Sequence, residues 1–502
     1  MNLTHVAARG AAASVLTVLL TLVLLGALPA RSATQATPAE QLATDHLASF
    51  PAHGMVTAVL TDGQVEVRGH GRDVAGRLPG GQTPFRVASM SKSFTATLVM
   101  ALAERGELDL DAPLTVAIPE FTMADHRADR ITLRMLLSHT SGIGGGSTVD
   151  LGRPDSADPE MLLADLRDAT LGSDPGTEHV YVNTGFALAA VAVERVTGRS
   201  FAEALRSEVL EPLGMDRTTS VADCASPVDG VGSGHTVVFG QVLRYPEPAD
   251  NCLGSGGVVS TADDLATWLR FQAGDGRTEA GERLLSEEGL RQLHAAQPGT
   301  GNVDGYGLGW SFGEAGALDL LEHGGALVTW TSHMTLVRGP DGRPTGDGAI
   351  VLTDTIGAPG LLARALAAQA AGSSVEPPAS TGAAPAAVLG VLIVVVALAG
   401  TAGVVRSSTW PSRRRRTWTR AAGLAWPGAV AVLCLAAPAL LAALVYGSPL
   451  SPVTAWHWGV GMLPEAMMLI ALTAVLGAAV LVARLLALRA GSGRLSGCAV
   501  RR

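Results

Sequence analysis

The segment Ser89-Met90-Ser91-Lys92 contains the only lysine in a chain that has 35 arginines. Arginine stays protonated at any working pH, whereas a lysine amine that is shielded from water can accept a proton. Ser89 and Lys92 lie three residues apart, on one face of a first helical turn, where the helix dipole disfavours the ammonium form. The pair can therefore supply a serine nucleophile and its base. The alternative is a helix-capping serine beside a surface lysine.

A second motif, Tyr181-Val182-Asn183, precedes a helical pattern. A phenol beside an ammonium group can share the role of base, and the amide of Asn183 can hold a substrate amide. The alternative is a packed tyrosine next to a capping asparagine.

A third motif, His323-Gly324-Gly325, ends one predicted strand and opens the next. Glycine lets a substrate backbone approach the edge of a strand. The N–H group of Ala326 can join that of Ser89 in an oxyanion hole, and His323 can bind a carboxylate or assist protonation. A plain hairpin turn is the alternative.

In this order, and together with LLSHTSG (136–142), GSGGVVSTADDLATW (254–268) and YGLGW (306–310), the motifs resemble the serine β-lactamase and penicillin-binding-protein superfamily, in its class C-like branch. The resemblance spans about residues 40–370. It implies that Ser89 is the acyl-enzyme nucleophile and that Lys92 and Tyr181 are the general bases. It also implies a set of substrate-binding residues, namely Asn183, His323, Gly324 and Gly325. In this family His139 belongs to a structural loop.

Two residues depart from the family pattern. His323 stands where many relatives carry lysine, and Gly324 lacks the hydroxyl group that helps to hold a β-lactam carboxylate. The resemblance therefore implies acyl transfer, with amides or esters favoured over β-lactams as substrates.

The elements that must position these motifs follow from periodicity. Alternation over 55–69 around Asp62-Gly63 predicts a β-hairpin, and strands are predicted at 318–325, 326–339 and 348–354. Helical spacing predicts helices at 89–105, 132–138, 185–197, 262–271, 286–295 and 358–371. The predicted class is an α/β, β-lactamase-like fold, in which an antiparallel sheet formed by strands from both ends of the domain is flanked by helices and accompanied by a helical subdomain.

Composition indicates a membrane-associated chain. Mean hydropathy is +0.30, and only 16% of the residues are charged. Residues 33–375 nevertheless carry 43 acidic against 23 basic residues, a formal net charge of −20. This charge argues against a nucleic-acid partner, because phosphate is repelled.

The two ends of the chain predict the compartment. Residues 1–32 are typical of a secretory signal peptide, the alternative being an uncleaved anchor, and either places the hydrolase domain (33–371) outside the cytoplasm. A small, Pro-rich linker (372–385) follows. Apolar runs at 386–405, 423–446 and 461–483 are each long enough to span a membrane.

Arginine distribution predicts the orientation of these three spans. The Arg-rich loop 406–422 and the tail 484–502 are predicted to be cytoplasmic, and the loop 447–460, which has no Lys or Arg, to be extracytoplasmic. Together the spans form a predicted three-helix transmembrane region with membrane lipid as its partner.

Cys224 and Cys252 fall in the predicted outer compartment, where a disulfide or two free thiols are both compatible with the sequence. No local cluster of His and Cys is typical of a zinc site, and the sequence predicts neither a cofactor nor a metal ion.

These observations predict a membrane-tethered extracytoplasmic serine hydrolase. It would act through a Ser89 acyl-enzyme on D-Ala-D-Ala-like peptides, other D-amino-acid amides or esters. The alternatives are a non-catalytic penicillin-binding-like sensor and an accessory subunit of a membrane complex. The intact set of three motifs argues against the first, and the scarcity of polar residues in the spans argues against a transport pathway.

Overall fold

The computed structural model of the chain describes residues 37–144, 158–300, 305–373, 384–413, 417–446 and 452–496. The predicted signal peptide (1–32) and most of the predicted linker lie outside the described residues. The chain divides into two compact units, Met1–Gln41 and Leu42–Arg502. Apart from residues 38–41, the elements below belong to the second unit.

The main sheet is antiparallel and has the strand order β2-β1-β11-β10-β9-β8 among the described residues. Its strands are β1 (Gly54–Thr61), β2 (Gln64–Gly71), β8 (Ser311–Ala315), β9 (Leu318–Ala326), β10 (Thr331–Arg338) and β11 (Pro344–Thr353). Two smaller sheets are formed by β3 (Phe85–Arg86), β7 (Val258–Ser260) and β4 (Thr219–Ser220), and by the hairpin of β5 (His235–Val238) and β6 (Gln241–Arg244).

The two ends of the predicted hydrolase domain meet in this sheet, as the sequence predicts. Met55 in β1 lies opposite Thr353 in β11, in antiparallel register. The β1–β2 hairpin is also confirmed: Asp62 and Gly63 form its turn with φ of 49° and 77°, the positive values that a two-residue hairpin turn favours.

Helices cover the sheet and form the second part of the domain. They are α1 (Pro38–Ser49), α2 (Ser91–Glu104), α3 (Leu133–Leu137), α4 (Pro159–Leu166), α5 (Asn183–Thr197), α6 (Phe201–Leu205), α7 (Ala262–Ala273), α8 (Glu287–Leu293) and α9 (Pro359–Ala370). The predicted end of α5 is correct, because Gly198 caps it in the left-handed conformation that glycine accommodates at low cost.

Helix α2 is the centre of the core. Every residue from Ser91 to Leu102 is buried, and Phe94 stacks on Trp268 of α7 with ring centroids 3.9 Å apart. The polar residues of α2 are therefore held by hydrogen bonds inside the domain, as when Gln272 donates to the hydroxyl of Thr97.

The C-terminal part contains α10 (Ala384–Arg406), α11 (Trp410–Arg413), α12 (Thr417–Tyr446), α13 (Pro452–Met462) and α14 (Pro464–Ser496). Three stretches are long and apolar enough to cross a membrane by length and composition, namely Ala386–Thr409, Thr419–Leu440 and Pro464–Arg489.

The third apolar run differs from the prediction at its start. Helix α13 occupies much of the predicted loop 447–460 and continues to Met462, and the third long helix begins at Pro464 rather than at residue 461. Proline has no N–H group and clashes with the preceding helical turn, so it belongs in the first turn of a new helix.

The β5–β6 hairpin and Tyr245, the residue after it, are hydrogen bonded to this C-terminal part. Thr236 Oγ1 donates to the carbonyl of Gly461 (2.6 Å), and Tyr245 Oη, just past the hairpin, donates to the carbonyl of His457 (3.0 Å). The backbone N–H of Phe239 donates to Glu465 Oε1 (2.6 Å). Glu465, the second residue of the third apolar stretch, thus has a partner in the predicted hydrolase domain.

Candidate active site

Ser89 lies in a single 3₁₀ turn, Ala88–Met90, immediately before α2. Ala88 has φ of 49°, a left-handed conformation that residues other than glycine rarely adopt. The turn is held from behind by Ser91, whose hydroxyl donates to the carbonyl of Ala88 (2.6 Å) and accepts the N–H of Val258 (2.9 Å). Local strain of this kind persists where the surrounding structure fixes it, and here it presents Ser89 at the start of the helix.

Strand β9 packs directly against this turn. A Cβ atom at Gly325 would overlap the carbonyl oxygen of Val87 and lie 3.0 Å from the Cβ of Ala88. From β10, Ser332 Oγ donates to the same Val87 carbonyl (2.7 Å). Gly325 is therefore required by the close approach of two backbone segments, one of which leads into Ser89.

The end of β9 has one free edge among the described residues. β8 pairs with β9 only as far as Glu322, so no described strand pairs with that edge from His323 to Ala326. Leu327 N–H donates to the carbonyl of Trp330, so these two residues form a hydrogen-bonded pair. Because such pairs alternate along antiparallel strands, the next pair, Ala326 and Thr331, is a non-hydrogen-bonded one. The N–H of Ala326 consequently points away from β10, as an oxyanion hole shared with Ser89 requires.

Lys92 has no exposed surface, and its amine has three neighbours. Nζ lies 3.0 Å from Ser89 Oγ, 2.8 Å from Asn183 Oδ1 and 2.8 Å from the carbonyl of Ser255. No carboxylate forms a salt bridge with Lys92 within the described part of the chain. The buried amine is therefore surrounded by neutral acceptors only.

Burial lowers the pKa of Lys92 well below its ordinary value, because the charged form loses its hydration without gaining a counter-ion. A neutral amine has two N–H donors and one lone pair. If the donors go to Asn183 and to the carbonyl of Ser255, the lone pair faces Ser89 Oγ. This arrangement lets Lys92 accept the proton of Ser89 without moving any heavy atom.

Tyr181 lies over the same amine, with Lys92 Nζ 4.9 Å from its ring centroid. Burial raises the pKa of Tyr181, although a hydrogen bond with Ser89 lowers it. The residue as a whole is 48% exposed, but its hydroxyl reaches into the site as far as Ser89, with which it is hydrogen bonded. The phenol form of Tyr181 therefore predominates at neutral pH.

His139 holds the Tyr181 segment in place. Its carbonyl accepts the N–H of Val180 (2.8 Å), its Nδ1 accepts the N–H of Val182 (3.2 Å), and its ring lies 4.3 Å from that of Tyr181. His139 itself adopts a left-handed backbone with φ of 59°. The structural role that the resemblance implies for this histidine thus has a geometric basis.

His323 is 4% exposed, and both of its ring nitrogens are hydrogen bonded. Nδ1 lies 2.7 Å from the carbonyl of Gly324, and Nε2 lies 2.8 Å from the hydroxyl of Tyr306. The carbonyl can only accept, so Nδ1 carries the proton and Tyr306 donates to Nε2. Burial, assisted by the nearby Lys92, lowers the pKa of His323 to about 3, so the imidazole is neutral at working pH.

The carbonyl that binds Lys92 belongs to a segment held by a disulfide. Cys224 and Cys252 are bonded, with Cα atoms 5.2 Å apart, and the N–H of Ser255 donates to the carbonyl of Cys252 (3.2 Å). The cystine therefore supports the turn that presents the Ser255 carbonyl to the amine.

The structure thus brings the predicted motifs together, whereas sequence reasoning missed two contributors. Ser89, Lys92, Tyr181, Asn183 and the His323–Gly325 strand surround one small volume. The carbonyl of Ser255 and the hydroxyl of Tyr306 lie within the GSGG and YGLGW strings, whose residue types assign neither of them a role in the site. The position of a backbone carbonyl cannot be predicted from residue type. The tyrosine of the YGLGW string, by contrast, is visible in the sequence as one of only four tyrosines.

Comparison with known proteins identifies the family of the chain. The family model described as Beta-lactamase matches residues 39–371, about two thirds of the chain. The chain therefore belongs to the β-lactamase family and is a serine hydrolase related to penicillin-binding proteins.

Curated relatives of different activities align with the same region. The chain is 35% identical over 272 residues to "Penicillin-binding protein 4" of Amycolatopsis lactamdurans, covering 51% of this chain and 69% of the relative. It is 32% identical to "Esterase EstB" of Burkholderia gladioli (53% of this chain, 75% of the relative). It is 26% identical to the D-alanyl-D-alanine-carboxypeptidase/endopeptidase AmpH of Escherichia coli (56% and 75%).

Among solved structures, the octameric penicillin-binding protein homologue from Pyrococcus abyssi matches with a TM-score of 0.57 and 25% identity, covering 67% of this chain and 77% of that one. This match supports the same β-lactamase-like fold.

Proposed function

We propose that Ser89 is the nucleophile of an acyl-transfer hydrolase and that Lys92 is its base. The observation that carries the proposal is the contact of a fully buried, charge-unpartnered amine with Ser89 Oγ at 3.0 Å. Lys92 accepts the hydroxyl proton as Oγ attacks the substrate carbonyl carbon. The N–H groups of Ser89 and Ala326 then stabilise the oxyanion.

The collapse of the tetrahedral intermediate needs a proton donor for the leaving amine or alcohol. Lys92 now carries the proton taken from Ser89, and the phenol of Tyr181, above the same amine, is placed to relay it. The result is an ester between Ser89 and the acyl group. Water then attacks this ester, and the same base accepts the proton of the water and returns it to Ser89.

For substrates we propose D-Ala-D-Ala-like peptides, other D-amino-acid amides and esters, with β-lactams disfavoured. A relative named "D-aminopeptidase", from Gluconobacter oxydans, is 32% identical over 301 residues; the chain spans only 54% of its length. His323 is neutral and Gly324 has no side chain, so this strand offers neither the cation nor the hydroxyl group that would hold a β-lactam carboxylate. The free edge of β9 remains available to pair with an extended substrate.

We further propose that the protein is tethered to a membrane, with the hydrolase domain and the segment 447–462 outside and the loop 406–422 inside. Arginine distribution supports this orientation. The hydrogen bonds from Thr236 of the β5–β6 hairpin to Gly461 and from Tyr245 to His457 also support it, because they join helix α13 to the hydrolase domain. Reporter fusions after residues 375, 410, 449 and 496 test it; a cytoplasmic signal at 449 would contradict the orientation.

The catalytic proposal is tested on the full chain in detergent micelles. A fluorophosphonate probe followed by peptide mass spectrometry should place one adduct on Ser89. Hydrolysis of a D-alanyl-D-alanine peptide, a D-amino-acid anilide, a p-nitrophenyl ester and a chromogenic cephalosporin then ranks the substrates. The matched control for Ser89→Ala is Ser49→Ala, in exposed helix α1.

Ser89→Ala should lose both the adduct and turnover, whereas Ser49→Ala keeps both. An adduct of equal yield on the Ser89→Ala protein would refute the assignment. An adduct on Ser89 of the wild type without turnover of any substrate would instead identify a binding module.

A further inference from the structure

The turn between β9 and β10 is buried, although turns usually lie at the surface. Its residues Leu327, Val328, Thr329 and Trp330 are 9%, 0%, 0% and 3% exposed. The turn directly follows Ala326, the last residue of β9, whose N–H group belongs to the proposed oxyanion hole. The groups that cover the turn therefore also fix the end of the strand on which the oxyanion hole depends.

A single carboxylate holds this turn. Glu247 Oε1 accepts the N–H of Val328 (3.0 Å), and Oε2 accepts both the N–H (2.9 Å) and the hydroxyl (2.6 Å) of Thr329. Hydrogen bonds to an ionised acceptor are about twice as strong as those between neutral groups. Glu247 thus fixes two consecutive residues of the turn with three bonds of the stronger kind.

Helix α13 packs against the same turn. A Cβ atom at Gly461 would overlap Cγ1 of Val328 and lie 3.1 Å from Cε1 of Tyr245, so the helix can approach this closely only with glycine at that position. Tyr245, two residues before Glu247, also donates from Oη to the carbonyl of His457 (3.0 Å). The helix therefore contacts both the turn and the segment that carries Glu247.

The segment that carries Glu247 continues to the other half of the active site. It leads to Cys252, which is bonded to Cys224, and then to Ser255, whose carbonyl lies 2.8 Å from Lys92 Nζ. Glu247 and Ser255 are only eight positions apart. One short segment, anchored by the disulfide, thus supports the strand of the oxyanion hole and the amine of the base.

We propose that Glu247 is a positioning residue for acyl transfer and that helix α13 belongs to the same support. Glu247 does not touch the substrate: it holds the turn Leu327–Trp330, so that the N–H of Ala326 stays directed at the oxyanion. The C-terminal helices then do more than tether the domain, because one of them packs on the turn that sets the oxyanion hole. This inference rests on the proposed function and adds to it a carboxylate and a helix that none of the three motifs contains.

The role of Glu247 is tested on the full chain in detergent micelles, with kcat and KM measured separately on a p-nitrophenyl ester. Glu247→Ala removes all three contacts with the turn, whereas Glu247→Gln keeps one acceptor oxygen on a side chain of the same size. Glu314→Gln, at an exposed position of β8, is the matched control. Binding of phenylboronic acid reports on the oxyanion hole itself, because its tetrahedral adduct with Ser89 resembles the transition state.

We expect Glu247→Ala to lower kcat by about 10–100-fold, the cost of a small misplacement in an active site, with KM changed by less than about threefold. The boronic acid should bind more weakly by the same factor as the fall in kcat/KM. Glu247→Gln should lie between Glu247→Ala and the wild type, and it gives the same readouts if the alanine variant does not fold. A fall in Tm without any change in boronic acid affinity or kcat would overturn the positioning role.

The role of helix α13 has its own pair of variants. Gly461→Ala should lower kcat, because the added Cβ displaces the turn at Val328. Gly459→Ala, in the same helix, should keep the wild-type kcat, because the three atoms nearest to its added Cβ all belong to the flexible side chain of Met467. Equal kcat values for the two variants would overturn the role of the helix.

The same assays separate this inference from the proposed function. A wild type that is active through Ser89, beside a Glu247→Ala variant of equal kcat, would overturn the inference and leave the role of Ser89 intact. A wild type with neither turnover nor an adduct on Ser89 would overturn the proposed function, and this inference with it.

Discussion

Replacing Lys92 by arginine distinguishes between two roles for this residue, a catalytic base and a structural cation. Arginine keeps the positive charge and the donors to Asn183 Oδ1 and to the carbonyl of Ser255, but a guanidinium group has no lone pair to accept the proton of Ser89. We expect kcat/KM to fall by about 10²–10⁴, the range typical of a lost general base. Lys92→Met, which removes charge and base together, should fall within about tenfold of the arginine variant.

The structure favours the larger end of this range. With a pKa above 12, an arginine at pH 7 is neutral in fewer than about one molecule in 10⁵. The pKa of Tyr181 is raised by burial, so its phenolate is also scarce at neutral pH and does not replace the missing base. The Lys92→Arg variant therefore has almost no group beside Ser89 Oγ that can accept its proton.

Two measurements follow the amine directly. In the wild type, activity on an activated ester should rise with pH, because the neutral amine forms above the pKa of Lys92, and this limb should lie below the ordinary lysine value of 10.5. Because Lys92 is the only lysine, a chain grown with ¹³Cε-lysine gives one side-chain resonance, whose titration reports that pKa without assignment. Circular dichroism and Tm check that each variant folds.

Retention of most of the activity by Lys92→Arg, with loss of activity in Lys92→Met, would contradict the role of Lys92 as a base. A lysine resonance that titrates near 10.5 would also contradict it, since Lys92 would then be an electrostatic or structural residue.

Three further changes test other parts of the site. Gly325→Ala should lower the activity and the Tm, at a cost of about 1–3 kcal/mol in stability, because the added Cβ overlaps the turn before the nucleophile. Gly80→Ala is the control: its added Cβ meets nothing within 4 Å, so its Tm should not change. Replacing Cys224 and Cys252 together by serine should lower the free energy of unfolding by about 2–4 kcal/mol and reduce kcat. If the wild type has the same Tm in reducing and in oxidising buffer, the disulfide is absent. Below pH 6.5 the unfolded chain protonates His323, whereas the folded chain keeps it neutral down to about pH 3. Stability should therefore fall by up to about 1.4 kcal/mol per pH unit on acidification, and His323→Gln should reduce that slope in unfolding curves.

The sequence predicted most of the sheet because the strand signals are local. The turn at Asp62-Gly63 and the alternation around it define the first hairpin before any tertiary contact is known. The predicted strand 326–339 was less accurate: β9 runs to Ala326, and β10 starts only at Thr331. The intervening Leu327–Trp330 turn is apolar, with Val328 and Trp330 buried in the domain, so it lacks the polar residues that mark a turn in sequence.

The candidate site was predictable to the extent that its chemistry resides in side chains of unusual type. A single lysine, one of four tyrosines and a pair of adjacent glycines are visible in the sequence. The partners of the Lys92 amine were not, because one of them is a backbone carbonyl brought there by a turn 163 residues away. The neutral state of His323 likewise depends on burial and on the distant Tyr306.

The burial of Lys92 also makes the folded chain almost inert toward amine chemistry. Apart from the α-amino group, its only amine has no exposed surface, so a reagent such as an activated acyl ester reaches a lysine only when the core of the catalytic domain opens. The rate of lysine labelling therefore measures how often that opening occurs, at a single residue beside the nucleophile. An inhibitor that acylates Ser89 should lower the rate of lysine labelling to the extent that it stabilises the closed core.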